Sequence, residues 1–156
     1  MAYNLIDKYI KCKMDLEAVS TLLNKIYERE KDSLQSHANY KSPIGKSMYE
    51  KEEKQFSALT TCKENLDFVI NVLKEYINQN KQEYNSMLSY QPRKFTYSSE
   101  LCEYKRELVN AKRIFKDSLS WMPSLSFTRD EKKVALYQDC INRLDYIHKY
   151  ISEKVH

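Results

Sequence analysis

The sequence contains very few residues that break helices. Gly45 is its only glycine, and Pro43, Pro92 and Pro123 are its only prolines among 156 residues. A fold with many strands needs frequent turns, and turns are built largely from glycine, proline and small polar residues. This shortage therefore excludes a many-stranded β fold and predicts a chain that is mostly helical.

The sequence also lacks a long apolar run. No stretch approaches the ~18 consecutive apolar residues of a membrane-spanning helix, and the N-terminal stretch MAYNLIDKYIKCKMD has no signal-peptide core. Charged residues form 31% of the chain and apolar residues 42%, which excludes a disordered tail. We expect a cytoplasmic protein without membrane insertion, or one exported without a cleaved signal. The Lys-, Asn-, Tyr- and Ser-rich usage suggests an AT-rich genome, such as that of a virus, a phage or a low-GC bacterium.

Each proline separates two segments with helical periodicity. Within each segment, apolar residues recur at steps of three and four, which places one apolar stripe along each helix. Short connections make neighbouring helices antiparallel. The sequence therefore predicts an all-α fold, a single domain over residues 1–156. We expect an antiparallel four-helix bundle with a long coiled-coil hairpin of helices 1 and 2. The four segments span roughly residues 3–35, 47–88, 99–122 and 129–154.

Helix start signals lie near the beginnings of three segments. Residues 47–50 (SMYE) and 128–131 (TRDE) match the capping box, in which a hydroxyl and a carboxylate accept hydrogen bonds from free backbone N–H groups. Ser99 is an N-cap candidate for the third helix. Residues 61–64 (TCKE) match as well, which leaves open a break in helix 2 and a five-helix bundle.

Gly45-Lys46-Ser47 has the letters that end a phosphate-binding loop. Such a loop needs a further glycine five positions earlier and a preceding strand, because glycine-rich backbone must wrap the phosphates. Tyr40 occupies that position, and the residues before it are predicted to be helical. We interpret the stretch as the turn before helix 2, with Ser47 as its N-cap.

The four cysteines, Cys12, Cys62, Cys102 and Cys140, fall one in each segment and form no C-x-x-C pair. When the segments are aligned as consecutive hairpins with a rise of about 1.5 Å per residue, the thiols spread along the bundle. That spread excludes a disulfide and a four-cysteine zinc site. We expect small buried thiols in a reducing compartment.

The histidines give no metal or catalytic constellation. His148 lies one turn after Asp145, but a carboxylate-bridged metal bundle needs such a pair on each of two helices. A surface hydrogen-bonded pair, or a histidine packed against Tyr84 and Cys102, is the simpler interpretation. The sequence shows no credible Ser-His-Asp or Cys-His arrangement. We expect no catalytic residue, no metal and no cofactor.

Positive charge concentrates in the third segment. Between Arg93 and Lys116 lie seven basic and three acidic residues, and this difference of +4 equals the formal net charge of the whole chain. On a helical wheel Arg106 and Arg113 point furthest outward. Three explanations stay open: a solvated or interhelical ion-pairing flank, an acidic protein partner, and nucleic acid.

Tyrosine is abundant, with thirteen residues, and several gather near the connection between helices 2 and 3. Tyrosine and arginine are enriched at binding hot spots because they desolvate well and keep a polar group. An aromatic plug that closes the bundle end is the alternative. The predicted partner-binding residues are Tyr90, Arg93, Lys94, Phe95, Tyr97, Arg106 and Arg113.

The third and fourth segments are shorter than the first two. If helix 3 packs beside the end of helix 2, the hairpin tip of helices 1 and 2 projects with apolar residues uncovered. Pairing of two such tips predicts a homodimer with two-fold symmetry. The predicted dimer interface is Leu22, Ile26, Tyr27, Phe56 and Leu59.

Strong bundle patterning without a catalytic constellation favours a non-catalytic protein–protein interaction module, such as an adaptor, an inhibitor or an accessory subunit. The alternative is a nucleic-acid-binding accessory subunit that uses the basic flank of helix 3. A metal or thiol enzyme is the third and least supported hypothesis.

Overall fold

Four α-helices make up almost all of the described chain. The computed structural model describes residues 5–39, 42–79, 101–120 and 130–154 and contains no strand within them. This confirms the predicted all-α bundle, and no helix in those ranges is long and apolar enough to cross a membrane. The helices are α1 (Leu5–His37), α2 (Pro43–Gln79), α3 (Leu101–Ser120) and α4 (Glu131–Lys154).

The helices pack as a ring in which α1 and α4 lie diagonally. α1 packs against α2 and α3, and α4 packs against the same two helices. Among the described residues, α2 and α3 are not direct neighbours. The expectation that successive helices form successive hairpins is therefore wrong for α2 and α3. The sequence does not show what distance the connection between two helices spans, so it could not predict which helices become neighbours.

One apolar core draws on all four helices, and the predicted stripes supply it. The steps of three and four along α1 place Leu16, Val19 and Leu23 inside, each at most 1% exposed. Burial of each such side chain is worth roughly 1.5–3 kcal/mol, so this core is the main stabilising term of the fold. Core residues from the other helices include Leu66, Val69, Leu73, Leu108, Ala111, Phe115, Tyr137, Leu144 and Ile151.

The predicted hairpin tip is covered within a single chain. Leu22, Ile26 and Leu59 are 2%, 4% and 0% exposed, and they belong to the same core as Ile147 and Ile151 of α4. The prediction that these side chains stay exposed is therefore wrong, and the dimer interface derived from it stays a prediction. Its premise was the placement of helix 3 beside helix 2; α4 occupies that position.

The aromatic members of the predicted tip are also engaged within the chain. Tyr27 packs against the core, and its ring stacks on that of Phe56 with 4.9 Å between centroids. The Lys63 ammonium lies 3.7 Å from the centroid of the Tyr27 ring, a cation–π contact. All five residues of the predicted dimer interface are thus buried or partly buried within one chain. A homodimer stays a prediction, but exposed apolar residues at the hairpin tip no longer support it.

α2 is continuous and begins earlier than predicted. It runs unbroken from Pro43 to Gln79, and the hydroxyl of Thr61 donates to the carbonyl of Ser57, one turn back, at 3.1 Å. The break near Thr61, on which the five-helix alternative depended, is therefore wrong. Ser42 is the N-cap, since its Oγ accepts a hydrogen bond from the N–H of Gly45 at 2.9 Å. Pro43 takes the first helical position, where its missing N–H costs nothing. The prediction of a cap at Ser47 is wrong because that residue already lies inside α2.

α4 begins with an aspartate cap. The Oδ1 atom of Asp130 accepts a hydrogen bond from the backbone N–H of Lys133 at 3.1 Å. Asp130 lies within residues 128–131, which were predicted as a capping box. In the structure the capping group is the carboxylate of Asp130. Thr128 and Ser99, the other start signals, lie outside the described residues.

Candidate functional site

Of the seven predicted partner-binding residues, the structure describes two. Tyr90, Arg93, Lys94, Phe95 and Tyr97 all lie outside the described residues, so the aromatic bundle end stays a prediction. The two others, Arg106 and Arg113, are exposed on α3. They mark the surface that the structure does describe.

The outward surface of α3 is basic over most of its described length. Arg106, Arg113 and Lys116 are exposed, and Val109 lies among them. We call these four residues the basic face of α3. At about 100° per residue, the arc from Lys112 to Arg106 covers about 120° and contains no acidic residue of the helix.

Val109 gives the basic face an apolar centre. Its side chain is 42% exposed, while the neighbouring core residues Leu108 and Ala111 are at most 1% exposed. Of the large apolar residues in the described chain, Ile44, Met48 and Tyr146 are also exposed, at 76%, 55% and 40%. Val109 differs from these three because it lies on the same surface as the cationic side chains of α3.

The cations of the basic face form no ion pair within the described chain, whereas the lysine at its edge does. The ammonium of Lys112 lies 2.5 Å from Oδ1 of Asp145 and ties α3 to α4. Of the basic flank of helix 3, this contact confirms an ion pair between helices for Lys112. The pair is partly exposed, so its contribution to stability is at most about 1 kcal/mol.

A second feature, missed from sequence, lies on the other side of α3. Asp15 of α1 is only 8% exposed, and Glu107 of α3 is hydrogen-bonded to it. Burial raises the pKa of Glu107, and repulsion by Asp15 and the shared hydrogen bond raise it further. Lys11 lies 3.3 Å from Asp15 and opposes the shift. The Glu107 carboxyl group therefore holds a proton at the contact between α1 and α3 more readily than a free glutamic acid does.

The acid pair borders a groove of about 210 Å³ between α1 and α3. Cys12 lies in the same groove, and burial followed by repulsion from Asp15 raises its pKa to about 12. Sequence offered one signal for this site, a carboxylate beside the apolar stripe of α1, but the partner on α3 depends on the register between the helices. The other lining residues are Lys8, Lys11, Asn110, Ala111, Arg113, Ile114 and Asp117.

The described cysteines are small buried thiols, as predicted. Cys12, Cys62 and Cys140 are buried, and none of them forms a disulfide within the described chain. Burial also raises the pKa of Cys140 to about 12, with a smaller contribution from Asp139. A thiol with such a pKa is protonated near neutral pH and is a poor nucleophile. The side chain of Cys102 lies outside the described part.

The described ranges contain no group of three or more side chains suited to hold a metal ion. The carboxylate of Asp145, half of the Asp145–His148 motif, pairs with Lys112. His37 forms its own pair with Glu52, with 2.9 Å between Nδ1 and Oε1. Both contacts fit structural roles for these side chains.

The described aromatic cluster is internal. Tyr9 of α1 stacks on Tyr76 of α2 with 4.0 Å between ring centroids, and Phe115 meets Tyr137 edge to face at 5.2 Å. Lys133 lies 5.7 Å and 5.5 Å from the rings of Tyr76 and Tyr137. These aromatic residues join the helices of the core, which is a packing role.

Comparison of the chain with protein family models, with curated proteins and with solved structures finds no match. The geometry and chemistry of the described surfaces are therefore the basis for inferring a function.

Proposed function

We propose that this protein is a non-catalytic protein–protein interaction module, an adaptor, inhibitor or accessory subunit, whose partner binds the basic face of α3. The observation that carries the proposal is the exposed Val109 among three cations that form no ion pair within the described chain. The partner is a protein with an acidic surface.

The basic face has the arrangement of apolar and polar residues that is typical of a protein interface. Protein interfaces combine an apolar centre that is dehydrated on binding with a polar rim that supplies specificity. Here Val109 is the centre, and Arg106, Arg113 and Lys116 are the rim. Arginine suits this role because its planar guanidinium forms paired hydrogen bonds with a carboxylate.

The absence of catalysis is part of the proposal. A nucleophilic cysteine needs a lowered pKa, whereas burial raises the pKa values of Cys12 and Cys140 to about 12. A cytoplasmic location is also proposed, since free buried thiols suit a reducing compartment.

The proposed framework is an antiparallel bundle in which α1 and α2 form a coiled-coil hairpin. Two ring contacts support this direction: Tyr9 stacks on Tyr76, and further along α1, Tyr27 stacks on Phe56. Residue numbers rise along α1 while they fall along α2. A rigid bundle of this kind fixes the orientation of α3 and so reduces the entropy lost on binding.

Nucleic acid is the alternative ligand. The spacing of cations along α3 favours it, but single-stranded nucleic-acid sites usually add aromatic side chains on which bases stack. The basic face has none among its four residues, and positive and negative charges balance outside residues 93–116.

The experiment is affinity purification from the source cells with a charge-reversed bait. The Arg106→Glu/Arg113→Glu variant should fail to retain a protein that the wild type retains. The matched control is Lys31→Glu/Lys51→Glu, which makes the same change in net charge at exposed positions of α1 and α2. Loss of the partner with both baits, or with neither, would contradict the proposed surface.

A further inference from the structure

We infer that the occupant of the basic face is an acidic amphipathic helix, about three turns long, that lies along α3 and presents an apolar side chain to Val109. This inference rests on the proposed function and specifies the class of its partner.

The shape of the surface favours a helix as the ligand. Arg106 and Lys116 stand roughly 15 Å apart along the axis of α3, at a rise of about 1.5 Å per residue. About three turns of a second helix cover the same length. Side chains three, four and seven residues apart share one face of that helix, so a central apolar residue can lie between carboxylates.

The charges of the surface select an acidic ligand. Arg106, Arg113 and Lys116 are exposed and form no ion pair with an acid of the described chain. Since Lys112 is already paired with Asp145, the edge of the surface beside α4 is neutralised. Charge complementarity therefore calls for carboxylates opposite the three remaining cations, which accelerates association and fixes the register.

Charge alone is not sufficient for tight binding. Exposed ion pairs are each worth at most about 1 kcal/mol, and salt screens them. The exposed side chain of Val109 supplies the apolar contact that a polyanion without apolar groups cannot use. Because the basic face has no aromatic side chain on which a base could stack, its single aliphatic residue favours an amphipathic peptide over nucleic acid.

The acidic residues on α3 lie to one side of the surface. Asp117 comes next to Arg106 on the helical wheel, and Glu107 lies beyond it, at the groove shared with α1. Carboxylates of the ligand are repelled from that side. We therefore expect the ligand helix to lie over Val109 and Lys116, toward α4.

The test begins with selection from a displayed library of random peptides of about 15 residues, long enough for about four helical turns. Selected peptides should carry Asp or Glu three or four residues from an apolar residue. A synthetic selected peptide should bind about tenfold more weakly to Arg106→Glu/Arg113→Glu than to the wild type, as measured by fluorescence anisotropy. That ratio corresponds to about 1.4 kcal/mol.

Three controls separate amphipathic recognition from simple charge attraction. Val109→Ser should weaken the selected peptide about threefold or more, while Lys31→Glu/Lys51→Glu should leave it unchanged. A scrambled peptide of the same composition should bind poorly. Equal binding of the scrambled peptide, or tighter binding of a single-stranded oligonucleotide that depends on the basic face, would overturn the inference.

The outcomes distinguish this inference from the proposed function. If purification yields a partner that requires the basic face but selection yields no acidic helical peptide, the interaction module stands and the ligand class is wrong. If selection yields acidic peptides that require the basic face while purification yields no protein, the surface is correct and the proposed cellular role is wrong.

Discussion

The replacement Glu107→Gln should stabilise the protein at neutral pH. In the wild type, burial and the neighbouring Asp15 raise the pKa of Glu107, so the folded state favours the protonated form of this carboxyl group. A glutamine is neutral at every pH and keeps an N–H donor for Asp15. The variant should therefore reproduce the protonated pair without the need to bind a proton.

The sign of the pH dependence follows from proton linkage. A group whose pKa is higher in the folded state contributes stability that is fully present below its unfolded pKa, near 4.5 for glutamate. That contribution is lost as the pH rises through the raised pKa of the folded state. The stability of the wild type should decrease over this pH interval. Glu107→Gln should remove the part of this decrease that comes from ionisation of Glu107.

The magnitude follows from the hydrogen bond that the pair loses on ionisation. A net contribution of about 0.5–1.5 kcal/mol is usual for such a bond, and a domain of this size gains about 2–4 °C in Tm per kcal/mol. We expect Glu107→Gln to raise the Tm by about 1–6 °C at pH 7.5 and to have little effect at pH 4. Lys11 and Arg106, which lower the pKa of Glu107, limit the effect.

The assay is thermal unfolding followed by circular dichroism between pH 4 and pH 8. Glu64→Gln, at an exposed position of α2, is the matched control and should leave the Tm unchanged. A Glu107→Gln variant that melts below the wild type at pH 7.5 would refute the reasoning. A wild type whose Tm rises over the same interval, with the variant unchanged, would refute it as well.

Three further predictions concern the fold. Ser42→Ala should lower the free energy of unfolding by about 0.5–2 kcal/mol through loss of the N-cap, as urea unfolding can measure, whereas Ser47→Ala should have a much smaller effect. Ile26→Asp should cost at least about 3 kcal/mol because a charge enters the core, and light scattering with circular dichroism should report an unfolded chain instead of a folded monomer. Cys12 and Cys140 should react with a thiol reagent at pH 7.5 only as fast as the chain unfolds, and reducing agent or chelator should leave the Tm nearly unchanged.

Each of these predictions has a result that contradicts it. Equal losses for Ser42→Ala and Ser47→Ala would mean that the cap assignment is wrong. Asn24→Asp, at an exposed position of α1, is the control for Ile26→Asp. If Ile26→Asp gave a folded monomer from a dimeric wild type, the original dimer hypothesis would be restored. Rapid labelling of Cys12 in the native state would contradict its burial.

The helices and their inward faces were predictable from sequence. Leu16, Val19 and Leu23 follow steps of three and four, and the structure buries each of them. Such a pattern is local, because it depends on residues within two turns of one another. The scarcity of glycine and proline was similarly sufficient to predict an all-α fold.

The neighbours of each helix were not predictable in the same way. Burial of Leu59 depends on the position of α4 beside α2, which local periodicity does not encode. The pairing of Asp15 with Glu107 depends on the register between α1 and α3, residues far apart in sequence. Ser42 was missed as a cap because the stronger sequence match at 47–50 competed with it.

The most direct test of the proposed interface is a photo-crosslink from the centre of the basic face. A photoreactive amino acid in place of Val109 should capture an acidic protein in the source cells, and Arg106→Glu/Arg113→Glu should abolish that product. The same photoreactive residue in place of Lys51 should give no such product. Capture of nucleic acid from position 109, or equal capture from both positions, would contradict the account.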